Sequence, residues 1–495
     1  MKRRTFVAAG LAALASASVP QRRAAAAAAT GGDIPAIGLD GRQLTLPAAE
    51  IEELRAALRG ELLTADSTGY DTARRLWNPA FERHPALIVR CVGAADARRA
   101  VEFAAAHQLL TAVRGGGHSV SGQSGCDRGL VIDLSPMRAV EVDPLKKTAR
   151  VEGGALLGQL DREALAFGLA TPVGTVADTG VGGLTLGGGV GRIARKFGLT
   201  CDNLEAVELI TADGRWRRAS AAENPELLWA LRGGGGNFGV VTAFVFRLHP
   251  VEPQMYGGRL TFPLDGARER LRNFAEVVAG APDELYVDMA MGTAPQGVRW
   301  QAFDVCYCGA PAAAERAVAP LRKLGKALKD ELGPAPYDKL QGSKDLRGIS
   351  PLGNYGKGGL VYGITPVLID TMVTAVESSQ SDGLMTWLQH QGGAISRVPP
   401  HGTAYFNRGA SHNVGIFDSW SMPSADAAQR TESVRHAWAQ IEPLTRGQYV
   451  NLAATDDREA RVHAAYGDNY ARLAALKRRY DPGNLFRLNA NIKPA

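Results

Sequence analysis

The chain has 495 residues, 45% of them hydrophobic and 21% charged, which is ample for more than one core. Its net charge is +6, but the first 30 residues hold five basic side chains and no acid, so the rest stands at 51 bases against 50 acids. That balance excludes a nucleic-acid binder working through a basic face, and five scattered cysteines (Cys91, Cys126, Cys201, Cys306, Cys308) exclude a disulfide framework.

Residues 1–30 open with Lys2, Arg3 and Arg4 ahead of Phe6, run apolar to Val19 and end rich in alanine. A charged start, a short apolar region and small residues read as a secretory signal. The paired arginines make the twin-arginine route the expectation, with export to the periplasm or beyond. The apolar run is too short to span a bilayer comfortably, so no membrane partner is expected once the signal is removed.

The next elements are short and mixed. Residues 96–107 place Ala100, Val101, Phe103 and Ala104 at helical spacing. Residues 110–113 and 130–134 read as strands. Between them lie Arg114, Gly115, Gly116, Gly117, His118 and Ser119, with Gly122 and Gly125 behind. Consecutive glycines allow left-handed backbone and leave N–H groups free to converge on an anion. Here an imidazole follows them directly. Residues 140–152 read as two strands joined at Asp143-Pro144, and 155–167 as a helix. Residues 171–201 carry nine glycines, 206–211 and 216–218 form a hairpin, and 233–239 (GGGGNFG) lead into the apolar run 240–246. Glycines interleaved with Val, Leu, Thr and Phe mark close backbone approach rather than a flexible linker. Three such clusters call for a ligand larger than one phosphate.

After Pro250 the pattern changes. Residues 257–262, 284–291 and 298–308 read as strands. Pro311 opens a helix over 311–332, with a break at Pro320. Strands over 402–407 and 412–420 precede a helix over 425–441, capped by Ser424. A last helix covers 457–480. The class is α+β, and 251–445 reads as a second domain, an antiparallel sheet with helices on one face.

The segments RGGGHSVSGQSG, PVGTVADTGVGGLTLGGGVGRIARKFGLTCDN and LLWALRGGGGNFGVVTAFVFRLHP are followed by YVNL and AAYGDNYARLAALKRRYDPGNLFRLNANI. In that order they resemble the berberine-bridge-enzyme-like FAD-linked oxidases of the vanillyl-alcohol-oxidase type. The motifs come nearest to the bacterial 6-hydroxy-D-nicotine oxidase branch. The resemblance implies a two-subdomain PCMH-type FAD domain over 70–250, a substrate domain over 251–445, and a C-terminal segment, 446–495, returning to the FAD domain. It implies FAD bonded covalently through His118. Val176 stands where many relatives carry a second, cysteinyl tether, so a single attachment is expected.

By the same resemblance Arg114, Gly115, Gly116, Gly117, His118, Ser119 and Gly122 cradle the pyrophosphate. Gly174, Thr175, Thr179, Gly182 and Gly183 run along the ring and ribityl chain, Val241 offers backbone, and Asn489 and Asn491 approach the ring. Tyr449 is the expected base, with Asn451 and Asp418 as further catalytic candidates and Tyr405 and Asn407 nearby. The implied activity is hydride transfer from a small organic substrate (alcohol, sugar or amine), with O2 reduced to H2O2. Leu452 and Asn407 depart from the family pattern. They keep open a second reading, a flavin-bearing dehydrogenase or binding protein using another acceptor. A metal site finds no support in the histidine spacing, nor a serine hydrolase in any G-x-S-x-G turn.

Overall fold

The computed structural model describes residues 32–294, 297–342, 352–454, 456–457 and 459–495. The expected signal, 1–30, lies outside them. Among the described residues no helix is long and apolar enough to cross a membrane.

The architecture is α+β and is built on three principal sheets. The first has four strands in the order Glu61–Leu63, Leu87–Arg90, Leu130–Asp133, Thr111–Arg114, the last two pairs parallel. Helix Ala94–Ala106 buries Ala97, Ala100, Val101 and Ala104 in this unit's core. That core also takes Leu46, Ile51 and Leu54, which lie ahead of the expected boundary at 70. The second sheet is antiparallel, in the order Trp216–Ser220, Leu204–Ile210, Val240–Arg247, Thr148–Glu152, Val140–Asp143. Strand Val240–Arg247 is buried along most of its length, which is why its sequence is apolar almost without a break.

The third sheet is the expected substrate platform, antiparallel throughout. Its order is Lys329–Asp330, Met255–Pro263, Arg299–Tyr307, Leu285–Thr293, Met385–His390, His412–Ser421, Leu352–Val361, with Gly333–Ala335 also pairing with Met255–Pro263. Helices Ala267–Ala279, Pro311–Arg322, Pro366–Ser378 and Ala427–Ile441 contribute to one apolar core with this sheet. The other face turns toward the units of the first two sheets.

The expected helix over 311–332 stops at Arg322, and Gly325 (φ 144°) turns the chain into short strands instead. The expected strand over 402–407 does not form. The helix over 457–480 is divided at Gly467, where a Cβ would strike the Phe406 ring, into Glu459–Tyr466 and Tyr470–Tyr480. Helix Ala427–Ile441 starts two residues late, with Ser424 bonded to Asp426 rather than to the helix end.

In the C-terminal segment, Leu473, Leu476, Tyr480 and Ile492 join the core of the second sheet. The Lys477 ammonium, fully buried, donates to Asn237 O (2.8 Å), Phe486 O (2.9 Å) and Asp481 (2.7 Å), tying this segment to the GGGGNFG loop.

Candidate active site

The glycine-rich loops meet backbone to backbone. A Cβ on Gly116 would lie 2.5 Å from Gly180 Cα, and one on Gly154 would lie 2.5 Å from the Leu134 carbonyl carbon. No side chain fits at either place, so loops distant in sequence cross in contact. Together they wall a cavity of about 430 Å³ between the second sheet, the third sheet and the C-terminal segment. Its lining draws on all three glycine clusters, with Gly115, Gly116, Gly117, Gly174, Gly182, Gly183, Gly235 and Gly236, and on Val241, Trp387, Gln389, Tyr449, Asn451, Leu452 and Asn489.

Not every glycine there serves packing. A Cβ on Gly183 would meet nothing within 4 Å, and one on Gly236 only Asn489 Nδ2 at 3.9 Å. These two leave bare backbone facing open space, the kind of surface a flat ring can lie against. Gly188 (φ 126°) is a packing glycine by contrast, pressed on Tyr405 and Tyr449.

His118 stands at one end. Its ring stacks on Trp77 (centroids 4.8 Å apart, planes at 24°), and its Nε2 lies 3.5 Å from Asp178 Oδ1. Both atoms are buried without a hydrogen bond among the described residues, as are Ser124 Oγ and Asn489 Oδ1. Native interiors rarely leave such atoms unpaired. Four orphaned polar atoms around a cavity with bare glycine backbone in its walls fit a large flat group carrying many polar atoms, as FAD does.

Tyr449 stands on another wall, after the substrate domain. Its phenol oxygen accepts from Gly189 N–H (3.0 Å) and Asn451 Nδ2 (2.8 Å), and Asn451 also donates to Leu184 O (3.0 Å). Burial pushes the phenol up to about 12, and the two donors pull part of the way back.

Of the expected cofactor residues, Gly115, Gly116, Gly117, His118, Ser119, Gly174, Thr175, Thr179, Gly182, Gly183, Val241 and Asn489 line the cavity, and so do Tyr449 and Asn451. Four expectations need correction, because these residues do not line it. Arg114 turns its guanidinium back to Ala73 O, at the end of a short helix. Gly122 (φ 69°) lies under Phe81, where a Cβ would sit 2.5 Å from the ring. Asn491 stays behind the wall, next to Ile492, whose N–H donates to Asn237.

Asp418 is the largest change. It lies on the helix-side face of strand His412–Ser421, the face that carries Val414 and Ile416 into the apolar core, and it bonds Ser381 Oγ (2.9 Å) and Arg430 (3.3 Å). Its neighbour Phe417 faces the other way. A one-residue difference in register exchanges the faces of a strand, and Asp418 is a structural carboxylate. Asn407, likewise away from the cavity, holds the C-terminal helix by donating to Ala465 O (2.9 Å).

Trp77, Asp178, Trp387 and Gln389 were not expected. Asp178 had a visible signal: it is the single acid in a stretch of glycine, threonine and valine.

Comparison with known proteins agrees with this geometry. An FAD binding domain model matches residues 85–220, and a berberine and berberine-like model matches 448–493. An FAD-linked oxidoreductase of Dictyostelium discoideum is 31% identical, over 90% of this chain and 97% of its own. (R)-6-hydroxynicotine oxidase of Paenarthrobacter nicotinovorans is 30% identical, over 88% and 97%. The crystal structure of 6-hydroxy-D-nicotine oxidase from Arthrobacter nicotinovorans superposes with a TM-score of 0.81 at 29% identity, covering 88% of this chain and 98% of that one. Fold and site thus define an FAD-dependent oxidoreductase. The chain belongs to the berberine-bridge-enzyme-like family of FAD-linked oxidoreductases.

Proposed function

We propose that the protein is an exported oxidase that dehydrogenates a small organic alcohol, sugar or amine. In this reading the flavin is bonded once, through His118, and O2 is the final acceptor, giving H2O2. FAD, when bound, supplies the two-electron acceptor for the hydride released by the substrate carbon. The observation that carries the reading is the orphaned His118 ring at the cavity end. Turning Nε2 to Asp178 leaves Nδ1 as the nitrogen available for a bond, and the Trp77 ring holds the imidazole plane in place. Val176, which lines the same cavity, offers no sulfur for a second link.

Tyr449 is the group to take the proton that leaves the substrate heteroatom. Two N–H donors already point at its oxygen, and both favour the phenolate over the phenol. Export rests on Arg3, Arg4 and Phe6 ahead of the apolar run.

The test is acid precipitation of the purified protein. Flavin should stay in the pellet for the wild type and move to the supernatant for His118→Ala. Flavin that leaves the wild type in acid would show that the tether is absent. Peroxide release on a panel of alcohols, sugars and amines checks the choice of acceptor. Flavin bleaching by substrate with no recovery in air would favour the dehydrogenase reading.

A further inference from the structure

We infer that the substrate is an uncharged, mostly apolar ring compound with one hydroxyl group at the reacting carbon, and that Gln389, held by Asn413, orients that hydroxyl. The inference rests on the oxidoreductase reading above and narrows its substrate.

Strand Met385–His390 sends Leu388 into the helix-side core and turns Trp387 and Gln389 to the cavity. Trp387 is a fixed wall. Phe417 packs on it edge-on, at 6.0 Å and 63°, from the neighbouring strand. Phe417 can lie there because Gly415 beneath it has no side chain: a Cβ at that position would come 2.6 Å from the Phe417 ring and 3.2 Å from Trp387. Gly358 makes room in the same way for Leu452, whose Cδ1 would lie 3.2 Å from an added Cβ. The glycines of this sheet face therefore exchange small residues for a rigid apolar slot opposite the bare glycine surface of the flavin side.

Polar groups on this wall are few and mostly committed. Gln389 sits directly opposite Asn413 in the ladder, and Asn413 Nδ2 donates to Gln389 Oε1 at 2.7 Å. That bond fixes the amide, whose Nε2 turns one N–H to the buried Tyr286 phenol and keeps the second for the cavity that Gln389 lines. Asn451 Nδ2 is shared between Leu184 O and Tyr449. What remains is one amide N–H of Gln389 and the O–H of Tyr449, whose oxygen already accepts twice, a match for a single hydroxyl. A substrate with several hydroxyls would leave most of them buried and unpaired.

Charge argues the same way. Among the described residues no Asp, Glu, Lys or Arg lines the cavity, whose titratable members are His118 and Tyr449. A cationic amine or a carboxylate would leave water for a wall without a countercharge.

The test uses the purified flavoprotein with benzyl alcohol, benzylamine, benzoate and cellobiose. Binding is read without oxygen by calorimetry and by the shift of the flavin spectrum, and reduction by bleaching. Benzyl alcohol should bind about tenfold or more tighter than the other three. Gln389→Glu should reverse the alcohol-to-amine preference, and Gln389→Leu should weaken the alcohol about tenfold with an intact flavin spectrum. Asn413→Leu should raise KM with little change in kcat, while Asn413→Ser, which still donates, should restore part of it.

Tighter binding of benzylamine, benzoate or cellobiose, binding of none of the four, or an unchanged preference in Gln389→Glu would each overturn the inference. Binding in the expected order without bleaching would support it and count against the oxidation reading. Preferential bleaching by benzylamine or cellobiose would do the reverse.

Discussion

Gly116 and Gly183 line the same cavity but should respond to a methyl group in opposite ways. At Gly116 the added Cβ falls 2.5 Å from Gly180 Cα and 3.2 Å from Leu156. The backbone it meets cannot rotate away, so the two loops must part by about 1 Å to reach ordinary contact. Overpacking of this kind costs about 1–3 kcal/mol, a Tm drop of about 2–6 °C for a large unit. At Gly183 the Cβ meets nothing within 4 Å, and the position is inside helix Val181–Leu186. Alanine there gains up to about 1 kcal/mol of helix propensity, while its methyl occupies the space where the ring is to lie. Gly183→Ala should therefore melt at or above the wild-type temperature with a lowered flavin-to-protein ratio. Gly116→Ala should melt lower in preparations of equal flavin content. Thermal melts paired with the ratio of absorbance at 450 and 280 nm separate the two. Full flavin occupancy with an unshifted spectrum in Gly183→Ala would refute the placement of the ring on that surface.

Tyr449→Phe should lower kcat about 10²–10⁴-fold. Because burial pushes the wild-type phenol up to about 12, wild-type kcat/KM should climb with pH across the neutral and mildly alkaline range, and the variant's profile should be flat. A wild-type plateau near neutrality would assign the base elsewhere. Asp418→Ala should cost about 1–3 kcal/mol in urea melts by breaking the buried bonds to Ser381 and Arg430, with kcat and KM unchanged. A large loss of activity at unchanged stability would return Asp418 to the chemistry. Asp161 is buried, accepts from Gln341 Nε2 (3.1 Å), and is held up to about 7 by burial. A carboxyl raised in the folded state contributes stability at low pH that is lost as pH rises through the folded value. The advantage of Asp161→Asn over wild type should therefore grow from about pH 4 to pH 7, by up to about 4 kcal/mol, then level off. Urea midpoints across that range measure it, and a constant difference would mean the carboxyl is ionised throughout.

The glycine clusters were readable because close approach leaves a compositional trace: where two backbones touch, only glycine remains. What the trace lacks is the pairing. Nothing local says that Gly116 meets Gly180 or that Gly154 meets Leu134, since each contact joins separate runs. Trp77 was invisible for a related reason: it is one of several aromatics before the first glycine loop, with its stacking partner 41 residues later. One strand of the third sheet hid better still. Strand Leu352–Val361 reads LGNYGKGGLV, with four glycines that weaken any strand signal. Three of those positions are glycine because Phe417, Leu452 and Thr445 occupy the space a side chain would take.

The misplacement of Asp418 shows where sequence reasoning meets its limit. Alternation assigns faces only when one face is wet, and strand His412–Ser421 is buried on both, by the helices and by the flavin-side units. Its acid and its aromatic are neighbours, Phe417 and Asp418, so chemistry alone favours the acid for the site. The ladder decides otherwise. Asn413 pairs with Gln389, a cavity residue, and the pleat then puts Gly415 and Phe417 on that side and Val414, Ile416 and Asp418 against the helices. The same alternation that removes the carboxylate from the cavity brings in an amide pair and an aromatic wall. The discrimination among substrates consequently rests on neutral groups rather than on a buried acid.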